Sequence, residues 1–166
     1  MLAYLYGLIE NNGSEDIATD FILGVLEGDG SPSASKRGHI IICTNKEDFK
    51  ILQTVLSFTG FDFKFHRENT TDKYYIRINA LGLLKLLPQI RDKIFQYYPK
   101  RRKKFIERFH KMGAVLFILG EQNHASSWVK AYLRKSDILN SEYKLTPHGN
   151  EIRQSLKDML NEYPPA

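Results

Sequence analysis

Phe21-Ile22-Leu23-Gly24-Val25-Leu26-Glu27-Gly28-Asp29-Gly30-Ser31 is the stretch on which the reading of this chain turns. It begins as an apolar helix and ends in a carboxylate between two glycines. An apolar helix is driven into a core by the water it sheds. An acid at its C-terminal end is opposed by the helix dipole, which favours cations there. A divalent metal ion at Asp29 would answer that conflict. Gly24 and Gly28 are four apart and share one helical face, with Phe21 and Val25 beside them. Small residues at this spacing let two helix backbones approach closely. Phe21, Gly24, Val25 and Gly28 are therefore expected to form a seam with a second copy of the helix. Such a pair would bring two Asp29 carboxylates together, an oxygen-rich site for a hard cation. Gly30 is expected to stop the helix in the left-handed conformation. The same letters also suit a plainer description, a buried helix ending in an Asp-Gly turn.

Around this stretch the 166-residue chain has the length of one domain with a small appendage. Its net charge of +5 and basic balance invite an acidic partner such as nucleic acid. The single cysteine, Cys43, excludes an internal disulfide framework and a Cys-rich zinc site, and fits a reducing compartment. No segment is apolar for long enough to span a membrane. The first residues lack the basic start and cleavage pattern of a signal peptide. An intracellular location with access to DNA is the expectation.

In chain order, residues 1–14 read as a lead-in helix halted at Asn11-Asn12-Gly13, with Ser14 or Asp16 as cap for the next helix. Residues 31–36 alternate small and polar side chains, a strand with Ser33 and Ser35 on one face, followed by a turn at Lys36-Arg37-Gly38. Residues 39–44 are rich in β-formers but apolar on both faces, so their register stays open. Helical periodicity through Phe49, Leu52, Val55, Leu56 and Phe58 spans residues 46–59. A hairpin follows. Phe61, Phe63 and Phe65 alternate with Asp62, Lys64 and His66; Tyr74, Ile76 and Ile78 alternate with Lys73, Tyr75 and Arg77. One face of that hairpin is expected in the core, the other in solvent. Residues 80–87 are helical, Pro88 should break or kink them, and a further stretch is expected to run toward Tyr98. Pro99 precedes five consecutive cations, Lys100-Arg101-Arg102-Lys103-Lys104, which open an amphipathic helix. Beyond it, residues 126–135 and 151–163 look helical, with Thr146 as N-cap and Pro147 at the first helical position. The phrase Leu145-Thr146-Pro147-His148-Gly149 is also similar to helical segments of winged-helix regulators.

Ile22 to Gly30, I-L-G-V-L-E-G-D-G, resembles the LAGLIDADG motif of the homing endonucleases. Gly24, Asp29 and Gly30 fall on the motif's glycine, its eighth-position acid and its final glycine. Leu23, Glu27 and Gly28 depart from it. The succession helix, strand, strand, helix, strand, strand, helix over residues 15–112 is similar to one domain of that family. The fold class implied is α+β: an αββαββα domain with a four-stranded antiparallel saddle-shaped sheet, carrying C-terminal helices over residues 113–166.

The resemblance implies a homodimer, since one motif is present, and a sequence-specific cut in double-stranded DNA at a long, near-palindromic target. It would serve the mobility of an intron or intein. It implies Mg²⁺ held by Asp29 and the carbonyl of Gly28, with Mn²⁺ able to substitute and Ca²⁺ binding without cleavage. By order along the chain, Lys100 or Lys103 would be the lysine near the attacking water and Asn45 the polar group beside it. Ser33, Ser35, Arg37, Lys64, His66, Lys73, Tyr75 and Arg77 would face the groove, with Lys100, Arg101 and Arg102 along the backbone. The alternatives are an intron-RNA-binding splicing maturase and a DNA-binding regulator that does not cut.

Overall fold

The computed structural model describes residues 15–33 and 38–164, together with Tyr4, Gly7, Leu8 and Asn11. Most of the expected lead-in helix, the capping role of Ser14, and both Ser35 and Arg37 lie outside the described residues.

Helix α1 (Glu15–Asp29) opens with Glu15 and Asp16, acids that suit the positive end of the dipole. Asp16 thus lies within the first turn instead of capping it. Ala18, Ile22 and Leu26 recur every fourth residue and are 1% exposed or less. That stripe packs into the core. Gly30 ends the helix differently from expectation. Among the described residues the glycines with positive φ are Gly38 and Gly120, not Gly30. Its N–H donates to the Leu26 carbonyl at 2.8 Å. A Cβ there would run into that same backbone, so close approach, not handedness, requires the glycine.

The chain then builds a four-stranded antiparallel open sheet in the order β1-β2-β4-β3. Its strands are β1 (Ser31–Pro32), β2 (His39–Thr44), β3 (Phe63–Arg67) and β4 (Tyr74–Asn79). Helix α2 (Lys46–Ser57) connects the two halves. Register settles the face of β2. Ile40 pairs with Ile78 and Ile42 with Ile76, and all four are 1% exposed or less. Ile41 and Cys43 consequently point the other way. Helices α1 and α2 cover the isoleucine face. Phe49 of α2 closes its edge, with ring centroids 5.5 Å from Phe65 and 4.9 Å from Tyr74.

Past the sheet come α3 (Ala80–Leu84), capped by Asn79, and α4 (Leu87–Ile90). Pro88 falls in the first turn of α4, where its missing N–H costs nothing, so it opens a helix instead of breaking one. The helix ends at Ile90, short of the run toward Tyr98, and the chain continues as turns with Phe95 at φ 51°. The remaining helices are α5 (Pro99–His110), α6 (Gly113–Leu119), α7 (Ser127–Lys135) and α8 (Pro147–Glu162). Thr146 caps α8 through the Gly149 N–H at 2.9 Å, as the sequence indicates, although α8 begins four residues before 151. Val115, Ile118, Leu133, Ile152 and Leu156 belong to the same buried cluster as the sheet, so the C-terminal segment shares one core with it. Among the described residues no helix is long and apolar enough to cross a membrane.

One polar group holds α1 to the rest. The Glu27 carboxylate, 7% exposed, accepts the backbone N–H groups of Tyr97 and, at 3.1 Å, Tyr98. Those amides precede α5; the Tyr98 N–H is shared with the Phe95 carbonyl at 3.3 Å, and the carboxylate is the acceptor for that of Tyr97. Glu27→Ala should remove the charged acceptor that ties α1 to these amides and lower stability by about 0.5–1.5 kcal/mol, the ordinary net worth of a hydrogen bond. Denaturant unfolding measures this, and a loss near zero would show the carboxylate to be dispensable.

Candidate nucleic-acid interface and helix-end site

Alternation along the strands sends a second set of side chains to the uncovered face of the sheet. Cross-strand pairing arranges them in rows: Ser31, Ile41, Arg77 and Lys64 in one, Cys43, Tyr75 and His66 in the next. A third begins where the Ser33 N–H donates to the His39 carbonyl at 2.8 Å, and His39 pairs with Asn79. Lys64, His66 and Arg77 are exposed and Tyr75 half-buried. Lys73 is exposed at the mouth of the hairpin, just before β4. Of the expected groove residues, the described ones therefore share one open, basic face. The Tyr75 hydroxyl reaches the Glu68 carboxylate at 3.5 Å, and Arg67 pairs with Asp72 at 3.4 Å in the hairpin turn.

His39 lies on the same face. Partial burial, then the neighbouring Arg77 charge, lower its pKa below the ordinary 6.5. Folding thus favours the neutral ring over the protonated one. Because the unfolded state takes up the proton first, stability at this residue is full above the unfolded value of 6.5 and is lost as pH falls from there through the lower folded value.

Asp29 ends α1 and is exposed. Gly24 and Gly28 are exposed too, and a Cβ built on either would meet nothing within 4 Å. Phe21 and Val25 are half-buried against the core. The side of α1 that carries the glycines is therefore open in the single chain. Among the described residues no group of three or more acids, histidines or cysteines is placed to hold a metal.

The basic run divides. Lys100, Lys103 and Lys104 are exposed in the first two turns of α5. Arg101 turns back to α1 and donates to the carbonyls of Glu27 at 2.6 Å and Gly28 at 2.9 Å. Its guanidinium also lies 5.1 Å from the Tyr98 ring. A cation does answer the dipole at the end of α1, and it is this arginine. The Gly28 carbonyl expected to bind metal is engaged by it. Arg102, expected along the backbone of the nucleic acid, is 6% exposed. It donates to the Ile94 carbonyl at 3.1 Å and pairs with Glu162 at 3.1 Å, tying α5 to the end of α8. Helical rotation explains the correction: residue 102 shares the inward face with Phe105, Ile106 and Phe109.

Asn45 also has a different role from the one expected. It is the N-cap of α2, its Oδ1 accepting from Glu47 and Asp48 N–H groups at 2.9 and 2.8 Å, while its Nδ2 donates to Asp48 at 2.7 Å. Both ends of the amide are occupied by local structure.

A cleft of about 430 Å³ opens where the sheet meets α7, lined from the sheet by His39, Lys64 and Arg77 and from α7 by Trp128. The sequence reading passed over it. The lone tryptophan was the available signal, but nothing local indicates that α7 folds back to the start of β3.

The chain matches no known family model, and neither a characterised protein nor a solved structure matches it.

The division of the basic run is testable. Arg102→Ala should lower stability by about 1–3 kcal/mol, because the Ile94 carbonyl and Glu162 lose their donor. Lys103→Ala should change it by no more than about 0.5 kcal/mol. If nucleic acid lies against α5, only the Lys103 variant should flatten the salt dependence of binding at unchanged fold. Thermal melts and salt titrations of the two variants check this.

Proposed function

We propose that this protein is a homodimeric, metal-dependent endonuclease of the LAGLIDADG type, cutting double-stranded DNA at a specific, near-palindromic site. The observation that supports the reading best is the placement of Asp29. It ends a core helix whose glycine side is left open, beside a sheet whose uncovered face is basic. Two copies joined through Gly24 and Gly28 would set their Asp29 carboxylates together. A β-ribbon fits the major groove, and Lys64, His66, Lys73, Tyr75 and Arg77 are the side chains that would meet it. Lys100 and Lys103 would approach the phosphates from α5.

The donor set fits Mg²⁺ as half a site: one exposed hard carboxylate per chain, completed by the same residue of a second copy. Bound there, the ion would lower the pKa of a water and neutralise charge developing on the phosphate. The chain's own part is to present the carboxylate on a rigid helix end, which Glu27 and Arg101 hold in place. The sheet orients the duplex. Lys100 or Lys103 would supply positive charge near the scissile bond.

One observation favours a second reading, a nucleic-acid binder that does not cut, whether splicing maturase or regulator. Arg101 sits on the Gly28 and Glu27 carbonyls, and a guanidinium there disfavours a further cation close by.

Asp29→Asn separates the two. It removes the charge and keeps the size. Cleavage of a target-bearing plasmid should fall at least a hundredfold, while affinity for the uncut duplex, measured in Ca²⁺, should hold or rise as carboxylate–phosphate repulsion is relieved. A wild-type protein that binds duplex but never cuts selects the second reading. Unchanged cleavage by the variant would remove Asp29 from the chemistry. Sedimentation of Gly24→Leu tests the seam: the bulky side chain should leave monomers.

A further inference from the structure

We propose that the cleft between the sheet and α7 takes an unpaired nucleotide, its base stacked on Trp128 and its phosphate on Arg77 and Lys64. The inference rests on the nucleic-acid reading above but concerns a different ligand, a base outside the duplex. Three observations carry it.

The first is shape. At about 430 Å³ the cleft lies in the range of small-molecule sites and is too small for a duplex. The second is the exposed indole. Trp128 is 59% exposed and lines the cleft from α7. A large aromatic left open in this way forgoes burial, and base stacking is the contact it suits in a basic groove, at about 1–3 kcal/mol per base. The third is charge. Lys64 and Arg77 face each other across β3 and β4 and also line the cleft. They belong equally to the open face, so a backbone tracking the sheet would carry its phosphate directly to the cleft mouth.

The remaining polar groups agree with such an occupant. Asp62 is the acid in the lining, but its carboxylate accepts the Tyr132 hydroxyl and lies 3.7 Å from the Lys85 ammonium. Its charge is answered from outside the cleft and does not repel a phosphate in full. Asn79 spends its Oδ1 on the Leu81 N–H at 3.0 Å. Its Nδ2 is then the donor that suits a base carbonyl. Leu81, Ala114 and Val129 are among the cleft's apolar lining residues. Stacking surface, amide donor and paired cations together are the chemistry of a nucleotide. A free mononucleotide and an unpaired residue within a strand share it, and the geometry favours the strand because the cations continue along the sheet.

Trp128 is the single tryptophan, so its fluorescence reports on this cleft alone. The intact protein is titrated with a blunt duplex, the same duplex carrying one bulged base, a short single strand, and free mononucleotide. Fluorescence is read beside anisotropy of the labelled nucleic acid. The bulged duplex and the single strand should quench Trp128; the blunt duplex should bind with little quenching. Trp128→Ala should weaken binding of the bulged duplex about tenfold, with blunt-duplex affinity within about twofold of wild type. Trp128→Phe, which keeps a stacking ring, should recover most of the loss. Equal binding of bulged and blunt duplexes, unaltered in Trp128→Ala, would overturn the cleft proposal and leave duplex recognition standing. Binding of no nucleic acid at all would sink both. Quenching by mononucleotide without preference for the bulge would overturn the strand site in favour of a small-molecule one.

Discussion

The structure depends on one layer of contact, the pairing of Ile40 with Ile78 and Ile42 with Ile76 beneath the Ala18, Ile22 and Leu26 stripe of α1. Side chains in a strand alternate between faces, so a register that buries these four isoleucines fixes every other strand position. A slip by one residue would put Arg77 and Tyr75 into the core and the isoleucines into water. The basic face therefore exists because the isoleucine face is buried. The same layer determines which side of α1 is free. Once Ala18, Ile22 and Leu26 face the sheet, Gly24 and Gly28 must point away from it.

Charge is distributed by helical rotation as much as by composition. The five-cation run looks uniform in the sequence, yet α5 sends its members to separate tasks. Arg101 holds the end of α1, Arg102 braces α8, and Lys100, Lys103 and Lys104 remain in water. Arginine suits the first two tasks, since a planar guanidinium can donate to two carbonyls, or to a carbonyl and a carboxylate, at once. The lysines keep their charge free for a diffuse anionic partner. Glu27 and Arg101 act as a pair across the junction of α1 and α5: the Glu27 carboxylate takes amide hydrogens of Tyr97 and Tyr98, and the Arg101 guanidinium donates to the backbone carbonyls of Glu27 and Gly28.

Much of this was legible in the chain because local rules and tertiary packing agree. Alternation in residues 74–79 foretells both faces of β4, whereas on the edge strand β3 Phe63 is only half-buried and Phe65 is 49% exposed. Thr146 and Pro147 announced a helix start that is present. The element order over the sheet followed from changes of period alone. The differences have two causes: some partners lie far away in the sequence, and some local backbone groups claim a side chain or a glycine for themselves. The dipole at the end of α1 calls for a cation, and Arg101, about seventy residues on, supplies one at the Glu27 and Gly28 carbonyls. Asn45 caps α2 because the Glu47 and Asp48 N–H groups just after it need an acceptor. Gly30 was read for handedness when a neighbouring carbonyl required it. The β2 register could not be read at all from an apolar run, and only its pairing with β4 decides it. The cleft beside Trp128 is the extreme case, since it joins strands around residues 38–81 to a helix about fifty residues further on.

The Arg101 contact bears on how the proposed dimer could assemble. Bringing two copies together at the α1 seam juxtaposes two Asp29 charges and two helix C-termini, each equivalent to roughly half a negative charge. Uncompensated, that concentration of negative charge would oppose association, and metal would have to bind before or during dimerisation. Each chain, however, brings a guanidinium to within hydrogen-bonding distance of its own Glu27 and Gly28 carbonyls. The termini are thus largely answered before the copies meet, and the residual repulsion is between two exposed carboxylates in high dielectric, where a pair of unit charges a few ångströms apart costs on the order of 1 kcal/mol. Close approach of the glycine faces can outweigh a cost of that size. In the proposed dimer, assembly through the seam and metal capture at its end would therefore be separable steps: the helix packing would not need the ion, whereas the ion would need the packing to find its second carboxylate.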